Sequence, residues 1–243
     1  MACTAVLAHA MDRAMTQTPE TIRAPKKRVA ILISGRGSNM QALVTAARAP
    51  DYPAEIALVI SNRPEAPGLA WAKEHGLPTL TLDHQLYENR EHFEGQLQSV
   101  LEMSKIDLVA LAGFMRLMTP GFVERWRGRM LNIHPSLLPL FKGLRTHEQA
   151  LAAGVRISGC TVHFVSPEMD AGPIIAQAAV PVLPADTPET LAARVLEAEH
   201  RLYPQALSLV AQDQISLNAD SIAFQRVGSE GINHADALFS PSL

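Results

Sequence analysis

From residue 26 onward the chain alternates short apolar runs with longer stretches of helical period. After Lys26, Lys27 and Arg28 come an apolar run at 29–33, a turn at 34–38 and a helix-like stretch at 39–48. That is strand, loop, helix. The order recurs as a strand at 55–60 with a helix at 67–75, a short strand at 79–82 with a long helix at 87–103, and a buried strand at 107–112. Strands alternating with helices at this spacing predict an α/β fold, a Rossmann-like, doubly wound, mostly parallel sheet with ligands beyond the carboxyl ends of its strands. The second half is less regular: a short strand at 130–133, a loop bearing proline and glycine as far as Arg145, a helix at 146–153, and strands at 160–165 and 174–182. Thr187, Pro188 and Glu189 supply an N-cap, an N1 proline and a first-turn acid for a helix reaching about residue 210, with a hairpin expected at 214–224. No repeat or low-complexity linker divides the halves. A single domain over 26–225 is therefore expected, with a disordered extension at 1–25 and a tail at 226–243.

Composition narrows the field. Of 243 residues, 47% are hydrophobic and 19% charged, and no apolar run approaches the roughly 18–20 residues of a membrane span. A net charge of -3 and a pI near 6.3 give no basic field for a polyanion, so neither nucleic acid nor membrane is an expected partner. Cys3 and Cys160 stand far apart without metal-ligand spacing, which argues against a disulfide framework or thiolate metal site and for a reducing, cytoplasmic setting. The apolar stretch at 5–10 lacks a basic lead, so it does not read as a signal peptide, and Met11 and Met15 are alternative starts.

Two places carry candidate chemistry. Ser34, Gly35, Arg36, Gly37, Ser38 and Asn39 follow a strand and open a helix, where backbone N–H groups and the helix dipole favour an anion. The dinucleotide fingerprint fails because Met40 stands where a third glycine is needed, and Ser61, Asn62 and Arg63 offer no acidic ribose ligand. What survives is a site for one terminal phosphate on Gly37, Ser38 and Asn39, against the plainer reading of a tight turn. The second place is Asn132 and His134, two apart at the end of an apolar strand and so on one face, with Pro135 and Pro139 stiffening the exit. Asp170, in the turn after the strand at 160–165, is the candidate carboxylate to orient His134 and favour its cation. Asn132 capping a turn and Asp170 making an Asx-turn are the bland alternatives, and His163, alternating with apolar residues, reads as a structural strand residue.

The segments ILISGRGSNMQAL, LAGFMRLMTPGFV, LNIHPSLLP, VHFVSPEMDAGPII and ARVLEAEHRLYP, in that order across roughly 28–210, resemble the folate-dependent formyltransferases, and among them the phosphoribosylglycinamide branch. The resemblance implies a formyltransferase-type sheet and a formyl transfer from 10-formyltetrahydrofolate, as co-substrate, to the amine of 5′-phosphoribosylglycinamide in purine synthesis. It implies direct attack through a tetrahedral oxyanion, with Asn132, His134 and Asp170 catalytic and no metal. Gly37, Ser38, Asn39 and Glu199 would hold the phosphoribosyl substrate. Arg90, Met115, Arg116, Leu117, Met118, Asn132, Ser166, Pro167, Glu168, Met169 and Asp170 would line the folate site, under a mobile loop at 136–147. Arg36 departs from the small or polar residues usual between the two glycines. Small molecules are the implied partners, and a homodimer remains open. The alternatives are a formyltetrahydrofolate hydrolase, whose family adds an N-terminal regulatory domain; a methionyl-tRNA formyltransferase-like enzyme, which adds about 100 C-terminal residues and a basic face; and a catalytically silent folate-binding module.

Overall fold

Val29, Ala30, Ile31, Leu32 and Ile33 are all fully buried, as a strand covered on both faces must be. They form β1 (Lys27–Ile33) at the centre of a seven-stranded sheet ordered β3-β2-β1-β4-β5-β6-β7. The computed structural model describes residues 25–218 and 221–224. The extension expected at 1–25, apart from Pro25, and the tail expected at 226–243 lie outside the described residues.

Four parallel pairings join β3 (Thr79–Thr81), β2 (Ala54–Ser61), β1, β4 (Leu108–Leu111) and β5 (Met130–His134). Beyond β5 the direction reverses. β6 (Ile157–Phe164) runs antiparallel to β5, and β7 (Ile174–Pro181) antiparallel to β6. The sheet is mostly parallel with a reversed strand near one edge, and β6 begins three residues before its expected start.

Alternate residues of β1 feed two cores. Val29, Ile31 and Ile33 face α1 (Ser38–Ala47), α2 (Pro67–Glu74), α5 (Thr146–Ala152) and α6 (Pro188–Ala211); Ala30 and Leu32 face α3 (Arg90–Met103) and α4 (Pro120–Arg125). Helix α3 starts later than the sequence suggests because Asn89 caps it, accepting from His92 N at 2.8 Å, while His84–Leu86 makes a separate 3₁₀ turn. Helix α4, six residues long, escaped sequence reading: Thr119 caps it and Pro120 opens it, but it is too short to display a period. A terminal hairpin joins β8 (Ile215–Asn218) and β9 (Ser221–Phe224), as expected.

The chain winds from β1 toward β2 and β3, then returns through α3 to β4 on the other side of β1. The carboxyl ends of β1 and β4 are thus a topological switch point, where open α/β sheets bind ligands. Tyr203 of α6, fully buried, meets the carbonyls of Leu111 and Leu131 at 3.1 Å each, tying the helix to the carboxyl end of β4 and the start of β5. Among the described residues no helix is long and apolar enough to cross a membrane.

Candidate active site

Antiparallel pairing of β5 with β6 sets Asn132 opposite His163 and His134 opposite Thr161. All four side chains stand on one face at the strand ends. On its other side β6 meets a register shift, where Val162 pairs with Ala176 and His163 with Ile174, so that Ile175 of β7 is the extra residue. His163 Nδ1 donates to the Phe164 carbonyl at 2.9 Å, which leaves Nε2 with a lone pair to accept from Asn132 Nδ2 at 3.2 Å. Burial lowers the pKa of His163, with the nearby Asp170 carboxylate opposing it in part, so the neutral form that this bond needs is the favoured one. Asn132 is thereby fixed with one amide N–H spent on His163 and the other without a partner among the described residues.

His134 meets an acceptor at each ring nitrogen. Nδ1 lies 3.4 Å from Asp170 Oδ2, and Nε2 donates to the Phe141 carbonyl at 2.9 Å. Asp170 also accepts from Gly143 N at 2.8 Å and lies 3.9 Å from His163 Nε2. It holds a left-handed conformation at φ 50° in the turn between β6 and β7. That turn needs Gly172: a Cβ there would sit 1.8 Å from the Phe164 carbonyl oxygen. The structure therefore brings Asn132, His134 and Asp170 together, and adds His163, whose only sequence signal was its period-two spacing from Thr161 on the polar face of β6.

The glycine loop lies at the carboxyl end of β1. Gly37 takes a left-handed φ of 70°, and α1 begins at Ser38 with no side-chain cap among the described residues. Gly68 of α2 packs under the loop, donating to Gly35 O at 3.1 Å, in a space where a Cβ would lie 2.6 Å from Ile33 Cδ1. Asn39 Nδ2 donates to Glu199 Oε2 at 2.7 Å, while Asn39 Oδ1 is buried with no partner among the described residues. Burial raises the pKa of Glu199, and the bond from Asn39 works against that. Glu199 and Tyr203, four apart on α6, link the loop to the end of β4 and the start of β5. Arg36 is exposed.

The other residues expected to line the folate site lie at the start of α3, on the rim segment 115–118 and in the turn 166–170. Arg90 is exposed at the first turn of α3. Met115 and Leu117 are 65% and 55% exposed, whereas Met118 is buried and the Arg116 guanidinium lies 5.3 Å from the Phe93 ring centre. This rim is tied to the glycine loop, for Ser34 N donates to Gly113 O and Ser34 Oγ accepts from Met115 N at 2.8 Å. Ser166, Pro167, Glu168 and Met169 lead into Asp170; Glu168 pairs with Lys142 at 3.1 Å, and Ser166 Oγ donates to Glu168 O. The segment 136–147 lies over the cluster through Thr161, whose hydroxyl donates to Ser136 O and accepts from Leu138 N. Among the described residues no group of three or more His, Cys, Asp or Glu side chains could hold a metal.

The formyl transferase family matches residues 27–207. The chain is 42% identical over 205 residues to the phosphoribosylglycinamide formyltransferase of Escherichia coli K12, covering 84% of this chain and 97% of that protein. It is 54% identical over 192 residues to the human trifunctional purine biosynthetic protein adenosine-3, covering 79% of this chain but only 19% of that protein's length. The crystal structure of glycinamide ribonucleotide transformylase 1 from Symbiobacterium toebii superposes with a TM-score of 0.81 at 43% identity, covering 84% of this chain and 96% of the other.

Proposed function

Because the chain belongs to the formyl transferase family, we propose that it transfers the formyl group of 10-formyltetrahydrofolate to the amine of 5′-phosphoribosylglycinamide, giving the N-formyl product and tetrahydrofolate in purine synthesis. The observation that carries this reading is the cluster on the shared face of β5 and β6: an Asn132 amide set by His163, beside a His134 ring held between Asp170 and the Phe141 carbonyl. Attack of an amine on a formyl carbon develops negative charge on the formyl oxygen, and two preset donors stabilise it most in the transition state. Asn132 donates through its amide, His134 through Nε2, and Asp170 keeps the imidazole oriented.

His134 Nε2 is engaged by the Phe141 carbonyl in this conformation. The segment 136–147 therefore withdraws from His134 when the formyl group enters, and Gly143 N releases Asp170 with it. The proton lost by the attacking nitrogen passes to the departing folate nitrogen by way of His134 or water held at Asp170. The amide donors at the start of α1 hold the phosphate, and Glu199, bonded to Asn39, faces the ribosyl part. Purified protein given both substrates should form tetrahydrofolate and formylated product in equal amounts. Release of formate without the amine would make the protein a hydrolase instead. Equal binding of phosphorylated and dephosphorylated glycinamide riboside would remove the glycine loop from the phosphate site.

A further inference from the structure

The rim at 113–119 has no regular structure between β4 and α4, so its shape depends on what grips it. At one end Ser34 takes the Met115 amide. At the other stands Glu94, a carboxylate only 5% exposed in the middle of α3. Its Oε1 accepts from Thr119 N at 2.8 Å and its Oε2 accepts from the Thr119 hydroxyl. A buried carboxylate is costly unless such bonds compensate it. The formyl-transfer cluster does not use this one.

Its neighbours on α3 suggest its purpose. Arg90, Glu94 and Gln98 stand at four-residue spacing and so form one stripe along the helix. Gln98 Oε1 accepts from Trp126 Nε1 at 2.8 Å, just beyond α4, and Glu94 holds Thr119 at its start. Phe93, beside Glu94, takes the Arg116 guanidinium over its ring. Arg90, at the crevice end of the stripe, has no partner among the described residues. Two members of the stripe are thus spent on docking α3 against the rim and α4, and the third is left to a ligand.

We propose that Glu94 is a positioning residue for the folate co-substrate: its grip on Thr119 sets the spacing between Arg90 and the rim at 115–118, and so the width of the folate cleft. The inference rests on the folate-site reading above. A purely structural Glu94 would instead serve as a cap for α4, where Thr119 Oγ1 accepts from Phe122 N at 3.4 Å.

The test is steady-state kinetics on the full chain, varying each substrate separately, with Glu94→Ala, Glu94→Gln, Thr119→Val and Thr119→Ser. Glu94→Ala and Thr119→Val should raise KM for 10-formyltetrahydrofolate about tenfold, equivalent to about 1.4 kcal/mol, while kcat and KM for phosphoribosylglycinamide stay within about threefold. Glu94→Gln keeps an oxygen for Thr119 N–H and Thr119→Ser keeps the hydroxyl, so both should restore the wild-type KM. Thermal unfolding of each variant identifies any that fails to fold, and the Thr119 pair tests the idea if Glu94→Ala is lost. Folded variants whose two KM values are unchanged, or rise together, would overturn the proposal. So would a fall confined to kcat. Absence of formyl transfer by the wild-type chain would instead overturn the functional reading on which it rests.

Discussion

His134 with an acceptor at both ring nitrogens is the feature from which the residue-scale predictions follow. Its Nε2–H donor matters most as the oxyanion forms, so His134→Ala should lower kcat by at least about a hundredfold while direct titration shows folate binding nearly intact. An effect confined to KM would contradict the role given to it. His163 acts one step removed. With Nδ1 committed to Phe164 O, its Nε2 is the group that fixes the Asn132 amide. His163→Phe keeps a buried ring but removes that acceptor, so kcat should fall about tenfold with little change in either KM, because a loosely held donor loses only the preorganised part of its contribution. If kcat were unchanged, Asn132 would be positioned by something else. The sequence revealed Asn132 and His134 through their two-residue spacing and Asp170 through its place after a strand. His163 was passed over because its partner lies on another strand, whose direction no local pattern reports.

At the scale of elements, the first half of the fold was legible because a strand covered on both faces, such as β1, reads as an unbroken apolar run and its helices show a clear period. The reversal at β6 was not legible. Antiparallel pairing with β5 depends on how the long connection through α5 returns to the sheet, and that path is set by tertiary bonds such as those of Thr161 to Ser136 and Leu138. The grips of Ser34 on Met115 and of Glu94 on Thr119 were equally invisible, since their partners stand 81 and 25 positions away. Where an element turn carries a site residue, backbone space becomes a functional constraint. Gly172→Ala would push a methyl into the Phe164 carbonyl and move the turn bearing Asp170. Overpacking of this kind costs about 1–3 kcal/mol. The variant should unfold at lower temperature and lose kcat by roughly tenfold or more, with KM for the phosphoribosyl substrate nearly unchanged because the glycine loop lies on other elements. Wild-type kcat in a folded Gly172→Ala protein would detach the turn from catalysis.

For the molecule as a whole, the groups gathered at the crevice make stability depend on pH in two opposed ways. Burial lowers the pKa of His147, His163 and His200, aided at His147 by the nearby His134. Each binds a proton more readily when unfolded, so each contributes stability that is complete above the unfolded value of about 6.5 and is lost as pH falls below it. Glu199 has the reverse sign. Its folded pKa is raised by burial, so its contribution is complete below the unfolded carboxyl value of about 4.5 and is lost as pH rises through the folded value. Between about pH 4.5 and 6.5 the two effects pull against each other. Glu199→Gln removes the second while keeping an oxygen to accept from Asn39 Nδ2, the bond seen at 2.7 Å. The urea midpoint of this variant should therefore exceed that of the wild type near pH 7, and it should climb more steeply with pH between 5 and 6.5, where only the histidine effect is left. The same change takes a carboxylate from the proposed ribosyl side of the site, so KM for phosphoribosylglycinamide should rise even as the protein becomes more stable. Stability gained together with substrate affinity lost identifies a group buried for binding at the expense of folding. If the variant were less stable than the wild type at pH 7, the ionised Glu199 would be supporting the fold, and its place at the junction of α1 and α6 would be structural.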